Sequence, residues 1–367
     1  MSPTGKLIIN LSAISENWCR LSERIKVASL KNRCGAVVKA DAYGLGMNSV
    51  SEVLWRAGCR DFFVATLDEA IALRQYLGAG PSIMVFGGLS HGGVAEWFEY
   101  QLLPIIIELG HLEIWGNYCR QRREMMPCAL KADTGMHRLG VPAVDLLKAL
   151  NNNDLWRHID LKYFISHLAC ADNPKHPLNK QQLATFTELS AKIKARYPRL
   201  LSSLANSSGL FLGDCYYFDL ARPGIALYGG NPTPKADNPM RPVVDLELPT
   251  MQARTIAAGE TVGYGATFTA QRETRLVTVF GGYADGLLRS LSNRACGYAN
   301  GYPVQMVGRV SMDSLVFDVS DMEYTPKSIS LLNEKQTVDD LASQAGTVSY
   351  EILTSLGHRY QRVYKVS

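Results

Sequence analysis

One lysine in this chain sits where an amine could do chemistry: it closes the apolar run in Val37-Val38-Lys39-Ala40-Asp41-Ala42-Tyr43-Gly44-Leu45-Gly46. Residues 34–38 are short, apolar and β-branched, so they read as a buried strand. Lysine is rarely buried without a partner, and Gly44 and Gly46 break the strand into a turn. An amine held there beside Tyr43 would be desolvated, its pKa would fall, and its lone pair would be free for Schiff-base chemistry. An edge lysine snorkelling to solvent is the alternative.

Other reactive side chains recur at the ends of apolar runs. Lys131-Ala132-Asp133-Thr134-Gly135-Met136-His137-Arg138 follows one, Ser166-His167 ends another, then come Asn206-Ser207 and Arg222-Pro223-Gly224-Ile225. Each has a plain structural reading. His167 could be a satisfied core histidine, Ser207 a helix cap, Arg222 an ion-pair partner, and Lys131, Asp133 and Arg138 a salt-bridge cluster. The functional reading of Ser207 is a phosphate held by its hydroxyl and by backbone N–H groups near Gly224 and Ile225. These signals are weak singly, and their shared placement raises them together.

The elements that would position them alternate. Short apolar runs at 34–40, 62–67, 82–88, 102–107, 128–133, 161–168, 202–207 and 217–221 are separated by helical patterns, including 68–77, 111–123, 141–151 and 178–195. Eight strands alternating with helices predict an α/β fold, a (β/α)8 TIM-type barrel, with the site at the strand C-termini and phosphate after the last two strands. A doubly wound sheet is the competitor, and no GxGxxG follows the first strand to favour it. A first helix is expected over 11–25 with Ser12 or Ser15 as cap.

After Tyr228 the texture changes. Residues 229–242 are rich in Gly, Pro and Asn and read as a linker. Strand-like runs follow at 243–248, 275–280, 304–310 and 315–319, then short helices at 337–344 and 348–356, the first opened by a Thr337–Asp340 capping box. The expected division is a barrel over 1–234 and a mainly β C-terminal domain over 235–367.

Composition narrows the class. The 367 residues are 47% hydrophobic and 20% charged, with a net charge of +4 and no basic run, which gives nucleic-acid binding no support. No charged-then-apolar leader and no long apolar span is visible, predicting a cytoplasmic protein without a membrane segment. The eight cysteines form no CxxC pair and the seven histidines no ligand spacing, so free, mostly buried thiols and no metal are expected.

The VVKADAYGLG stretch resembles the pyridoxal-phosphate lysine motif of alanine racemases, with Leu45 where a polar residue is usual. The similarity extends through the DTGMHRLGV segment, Ala205–Gly209, Arg222–Gly229, Val262–Ala266, GYADG and Gly308–Asp313, and in a mainly structural way through VATLDEA at 63–70. It therefore spans nearly the whole chain. The resemblance implies a PLP-dependent, homodimeric enzyme that interconverts L- and D-alanine and supplies D-alanine for peptidoglycan. By it, Lys39 holds the cofactor as a Schiff base and works as one base. Tyr264 of the partner subunit is the other, because racemisation removes a proton on one face and returns it on the other. Tyr43, Asn206, Ser207, Gly224 and Ile225 would cradle the phosphate, His167 flank the ring, Arg222 face the ring nitrogen and Arg138 meet the phenolic oxygen. Arg138, Met312 and Tyr283 would bind substrate, Met312 and Asp313 from the partner, and Lys131 would be carbamylated. A cationic arginine at the ring nitrogen disfavours its protonation, which would favour return of the proton to Cα over transamination.

One segment departs from the family pattern. Where a pocket tyrosine is expected near the C-terminus, the aligned stretch is His358-Arg359-Tyr360-Gln361-Arg362, and His358 takes its place. That leaves open a broader amino-acid racemase, beside a PLP-binding carrier or regulator and a fold-related decarboxylase.

Overall fold

The computed structural model describes residues 4–89 and 94–366. Alternation of short buried strands with helices produces a parallel barrel. Strands at Ala36–Val37, Asp61–Val64, Ser82–Val85, Leu103–Ile106, Pro127–Asp133, Asp160–Ile165 and Leu201–Ser203 pair in that order. Leu220–Ala221 closes the ring against Arg33–Cys34. On its other side the Asp219 and Arg222 N–H groups donate to the Ser202 and Ala205 carbonyls at 3.0 and 2.9 Å. The strands are covered on both faces, and residues such as Phe62, Ile83, Ile105, Leu130 and Phe164 are fully buried, Phe164 stacked on Phe186 of the outer helix Pro177–Arg196.

The helical patterns materialise as Leu67–Leu77, Leu109–Arg122, Ala143–Ala149 and Pro177–Arg196. The first helix, Leu11–Ala28, begins one residue beyond Asn10, whose side chain accepts from the Ala13 N–H. Asn10, and neither Ser12 nor Ser15, is therefore its cap. A helix at Met47–Ala57, which follows Gly46, went unread in the sequence.

The C-terminal unit is an eight-stranded, mostly antiparallel sheet. Its long strand Val244–Ile256 pairs with Ser328–Leu332 and, further on, with Thr274–Phe280, so that six strands curl into a second, smaller closure. Lys6–Asn10 joins this sheet, between Val244–Ile256 and Gln361–Lys365. The start of the chain thus packs with the second unit, although the expected division gave it to the barrel. The capping box forms: Thr337 accepts from the Asp340 N–H and opens Val338–Ala345. All eight cysteines are free, four of them buried. Among the described residues no helix is long and apolar enough to cross a membrane.

Candidate active site

Lys39 leaves the first barrel strand on a turn of the opposite hand. Ala40, Asp41, Ala42 and Tyr43 all have φ between +52° and +58°. Left-handed residues cost about 1–2 kcal/mol each, so this turn persists because its surroundings hold it. The Ala42 N–H donates to the Val38 carbonyl at 2.9 Å, and Asp41 accepts from the Met47 N–H at 2.7 Å. The C-terminal unit grips the far end. Arg362 donates to the Gly44 carbonyl at 2.6 Å and the Tyr364 hydroxyl to the Leu45 carbonyl at 3.2 Å. Gly44 and Gly46 lie close against Leu353 and Tyr364, where a Cβ would collide.

The strand ends enclose a cavity of about 570 Å³. Lys39, Tyr43, Lys131, Arg138, His167, Asn206, Ser207, Arg222, Gly224 and Ile225 all line it, so the residues expected around a cofactor converge there. Phe86, which ends the third strand, and Ser166 also line it. Their place at strand ends was the available signal. The pocket tyrosine is Tyr350, from the C-terminal helix Ser349–Ser355. Its ring lies 5.9 Å from that of Tyr43, which packs at 4.7 Å, tilted by 33°, against Tyr228. His358 is exposed and does not line the cavity. His358, expected in the pocket, therefore lies outside this cavity, and the C-terminal tyrosine that lines it is Tyr350, eight residues earlier.

Ser207 builds a small cradle. Its hydroxyl oxygen accepts from the N–H groups of Gly224 at 2.9 Å and Ala226 at 3.3 Å, which leaves its own proton to donate into the cavity. A Cβ on Gly224 would strike the Tyr43 hydroxyl, so only glycine lets that phenol reach the backbone here. Burial pushes the Tyr43 pKa up, and the phenol remains a neutral donor.

Arg222 is buried and aimed by two strands. It donates to the Ser203 hydroxyl and to the Ser166 carbonyl, each at 2.5 Å. Below it, Thr134 and Ser166 share a 2.7 Å hydrogen bond. Gln182, fully buried on its helix, donates to the Thr134 hydroxyl at 3.3 Å and the His167 carbonyl at 2.9 Å, and accepts from the Ala169 N–H. Asp133 gathers the N–H groups of Gly135, Met136 and His137 on one oxygen, at 2.9–3.1 Å, and so shapes the loop that carries Arg138. The salt-bridge reading of Lys131, Asp133 and Arg138 gives way: the Asp133 side chain is engaged by backbone N–H groups and by His137.

The cavity is strongly cationic. Lys39, Lys131, Arg138 and Arg222 meet in it, and no carboxylate is among its described lining residues. Burial lowers the Lys39 pKa, Arg138 lowers it further, and Glu69 opposes. Burial, then Arg222 and Arg138, push Lys131 down to about 8. Burial alone brings Arg222 to about 10. Burial and the same cations hold His167 down at about 3, a neutral imidazole at physiological pH. Desolvated cations around a lysine amine suit an anionic, carbonyl-bearing ligand.

Tyr264, Tyr283 and Met312 lie elsewhere, on the C-terminal unit, and all three are exposed, Tyr264 by 72%. Tyr264 and Tyr283 line a separate concavity of about 570 Å³ with Arg289 and Arg309. The loops of Tyr283 and Met312 are sewn together: the Ala284 N–H donates to the Met312 carbonyl at 3.1 Å, and Arg359 joins Asp285 to Asp313.

A barrel with a desolvated lysine and an anion cradle at its strand C-termini defines a cofactor-dependent type of enzyme. Residues 9–232 match the alanine racemase N-terminal domain family and residues 243–364 the alanine racemase C-terminal domain family. The chain is 45% identical to an alanine racemase of Rhodospirillum rubrum, over 98% of this chain and 96% of the relative. It is 43% identical to a catabolic alanine racemase of Agrobacterium fabrum, over 98% and 92%. Among solved structures, alanine racemase from Bartonella henselae with covalently bound pyridoxal phosphate superposes with a TM-score of 0.93 at 37% identity, covering 99% of each chain. The chain belongs to the alanine racemase family and is an isomerase.

Proposed function

We propose that this chain interconverts L- and D-alanine with pyridoxal 5′-phosphate held at Lys39, as a homodimer whose active sites are each completed by the other subunit. The observation that carries the reading is the convergence of the lysine, the cationic walls and the Ser207 cradle on one cavity. The residues present fit a phosphorylated aldehyde: a desolvated amine for the carbonyl, and hydroxyl and backbone donors beside a glycine that a Cβ would crowd. When bound, the cofactor supplies an electron sink that acidifies the Cα proton of an attached amino acid.

The side chains then divide the work. Lys39 exchanges a proton at Cα on one face, and Tyr264 of the partner subunit exchanges one on the other. Asn206, Ser207, Tyr43, Gly224 and Ile225 hold the phosphate. Arg222 faces the ring nitrogen, held by Ser203 and Ser166, and neutral His167 flanks the ring without adding charge. Arg138 binds the substrate carboxylate with Met312 and Tyr283 of the partner subunit. Lys131, whose lowered pKa raises the fraction of reactive neutral amine, carries a carbamate that orients Arg138. The separation of Tyr264, Tyr283 and Met312 from the Lys39 cavity, and their exposure, support a second copy as the source. The free thiols fit the reducing cytoplasm, where D-alanine would serve peptidoglycan synthesis.

The test is proton NMR of L-alanine in D2O with the PLP-loaded protein, with a chiral readout alongside. Loss of the Cα proton with appearance of D-alanine is expected. Serine in place of alanine then measures how closely Tyr350 restricts the side chain. Absence of exchange with PLP bound would overturn the reading, and exchange without inversion would remove Tyr264 from it.

A further inference from the structure

The 63–70 segment contributes no side chain to the cavity lining, yet one of its residues reaches the reactive lysine's own peptide. Glu69 lies in the first turn of the helix Leu67–Leu77, half-buried, and its two carboxylate oxygens face two different barrel strands. Oε1 accepts from the Ala40 N–H at 2.7 Å. Oε2 accepts from the Ala65 N–H at 2.7 Å and the Thr66 N–H at 3.4 Å. Ala40 directly follows Lys39, so the peptide held by Oε1 is the one that ends Lys39. It is also the first residue of the left-handed turn.

We propose that Glu69 is the positioning residue for Lys39, splinting the left-handed turn against the second strand and so fixing the direction of the amine. A helix cap alone does not need this geometry. Capping-box glutamates reach back to the cap residue's N–H. Here that bond is the long one at 3.4 Å, and the two short ones go to Ala65 and across to Ala40. The rest of the turn is held from its other end, by Asp41 on Met47 and by Arg362 on Gly44. Glu69 is the side chain that secures its start. It also contributes charge. The groups that act on the Lys39 amine include Arg138, from the loop after the fifth strand, and Lys131, on that strand. Glu69 is the carboxylate among them and favours the protonated amine, opposing Arg138.

Glu69→Gln separates this role from capping. It keeps the size of the side chain but replaces one acceptor oxygen with an NH2 group, so it cannot accept from both strands. In the apoprotein, NMR of 15N-labelled lysine, with the Lys39 signal assigned by Lys39→Met, should show Lys39 titrating about one unit lower. Capture of added PLP at a pH where the amine is neutral should slow about tenfold, because the amine's direction is no longer held. Thr66→Ala removes the hydroxyl that caps the same helix; it should lower the melting temperature and leave the Lys39 titration in place. Glu69→Asp keeps the charge and shortens the reach. It should slow capture with a near-wild-type titration, and it decides the matter if the glutamine variant does not fold. Wild-type titration and wild-type capture in Glu69→Gln, or wild-type capture in Glu69→Asp, would overturn the proposal. The capture arm rests on the PLP reading and the titration arm does not, so a wild-type protein that fails to take up PLP would count against that reading alone.

Discussion

Lys131 is a lysine whose pKa is pulled down to about 8 by burial and by its cationic neighbours. Its amine is buried against Arg222, Arg138 and Lys39, and Asp133, the carboxylate nearest in sequence, is turned to the backbone of its own loop. Three cations around a desolvated amine are unstable as a set. Converting that amine to a carbamate would place a negative charge at the centre of them. Carbamates form from the neutral amine, so the sign of the pH dependence follows from the lowered pKa: formation rises as pH passes upward through about 8, well below the range of an ordinary lysine. In 13C-bicarbonate, the protein should show a carbamate resonance that grows over this range and vanishes in Lys131→Met. A resonance that survives the substitution, or none at pH 8.5, would remove the modification. His167 meets the same cations differently. Held near 3, it stays uncharged and adds nothing to the repulsion.

At the scale of elements, the loops that meet at the C-terminal unit are set by close backbone approaches. Gly286, at φ +87°, ends the GYADG loop against the Ser355 carbonyl, inside the distance any side chain could occupy. The same loop is fixed by Arg359 to buried Asp285 and by the Gly357 N–H to the Asp285 carbonyl at 3.0 Å. Gly286→Ala should therefore cost at least about 2 kcal/mol, from the left-handed φ and the collision together. Thermal unfolding checks it, and a melting temperature within a degree of wild type would show that the loop relaxes freely. Such approaches also explain what the sequence disclosed. Strands buried on both faces announce themselves as apolar runs, so the barrel strands were legible in place. Three runs overshot: 34–40 holds the strand Ala36–Val37, 202–207 only the end of Leu201–Ser203, and 217–221 the strand Leu220–Ala221. The strands Lys6–Asn10, Cys296–Ala299 and Ser328–Leu332 alternate between buried and half-buried positions, and Gln361–Lys365 buries no side chain fully, so none of them was read from the sequence. The cavity's own side chains were readable because they stand at strand ends. Tyr350, Gln182 and Glu69 were not, because they come from helices whose patterns record only a buried face.

For the whole molecule, the distribution of the two proposed bases is the deciding feature. Lys39 opens into the barrel cavity, while Tyr264 stands 72% exposed on a 3₁₀ turn of the C-terminal unit, in the concavity it shares with Arg309. On the proposed assignment one chain would carry half of the chemistry at each of two surfaces, and two copies related by a two-fold axis would bring unlike halves together twice. Subunit mixing tests this without reference to a dimer's geometry. Lys39→Ala and Tyr264→Phe homodimers should each be inactive in racemisation. Unfolding and refolding them together in equal amounts produces hybrids in about half of the dimers, each with one site that has both its lysine and its tyrosine. Activity should return to about a quarter of the wild-type level, since one site in two works in half of the molecules. Were both bases drawn from the same chain, no hybrid could contain an intact pair, and the mixture would stay as inactive as its parents.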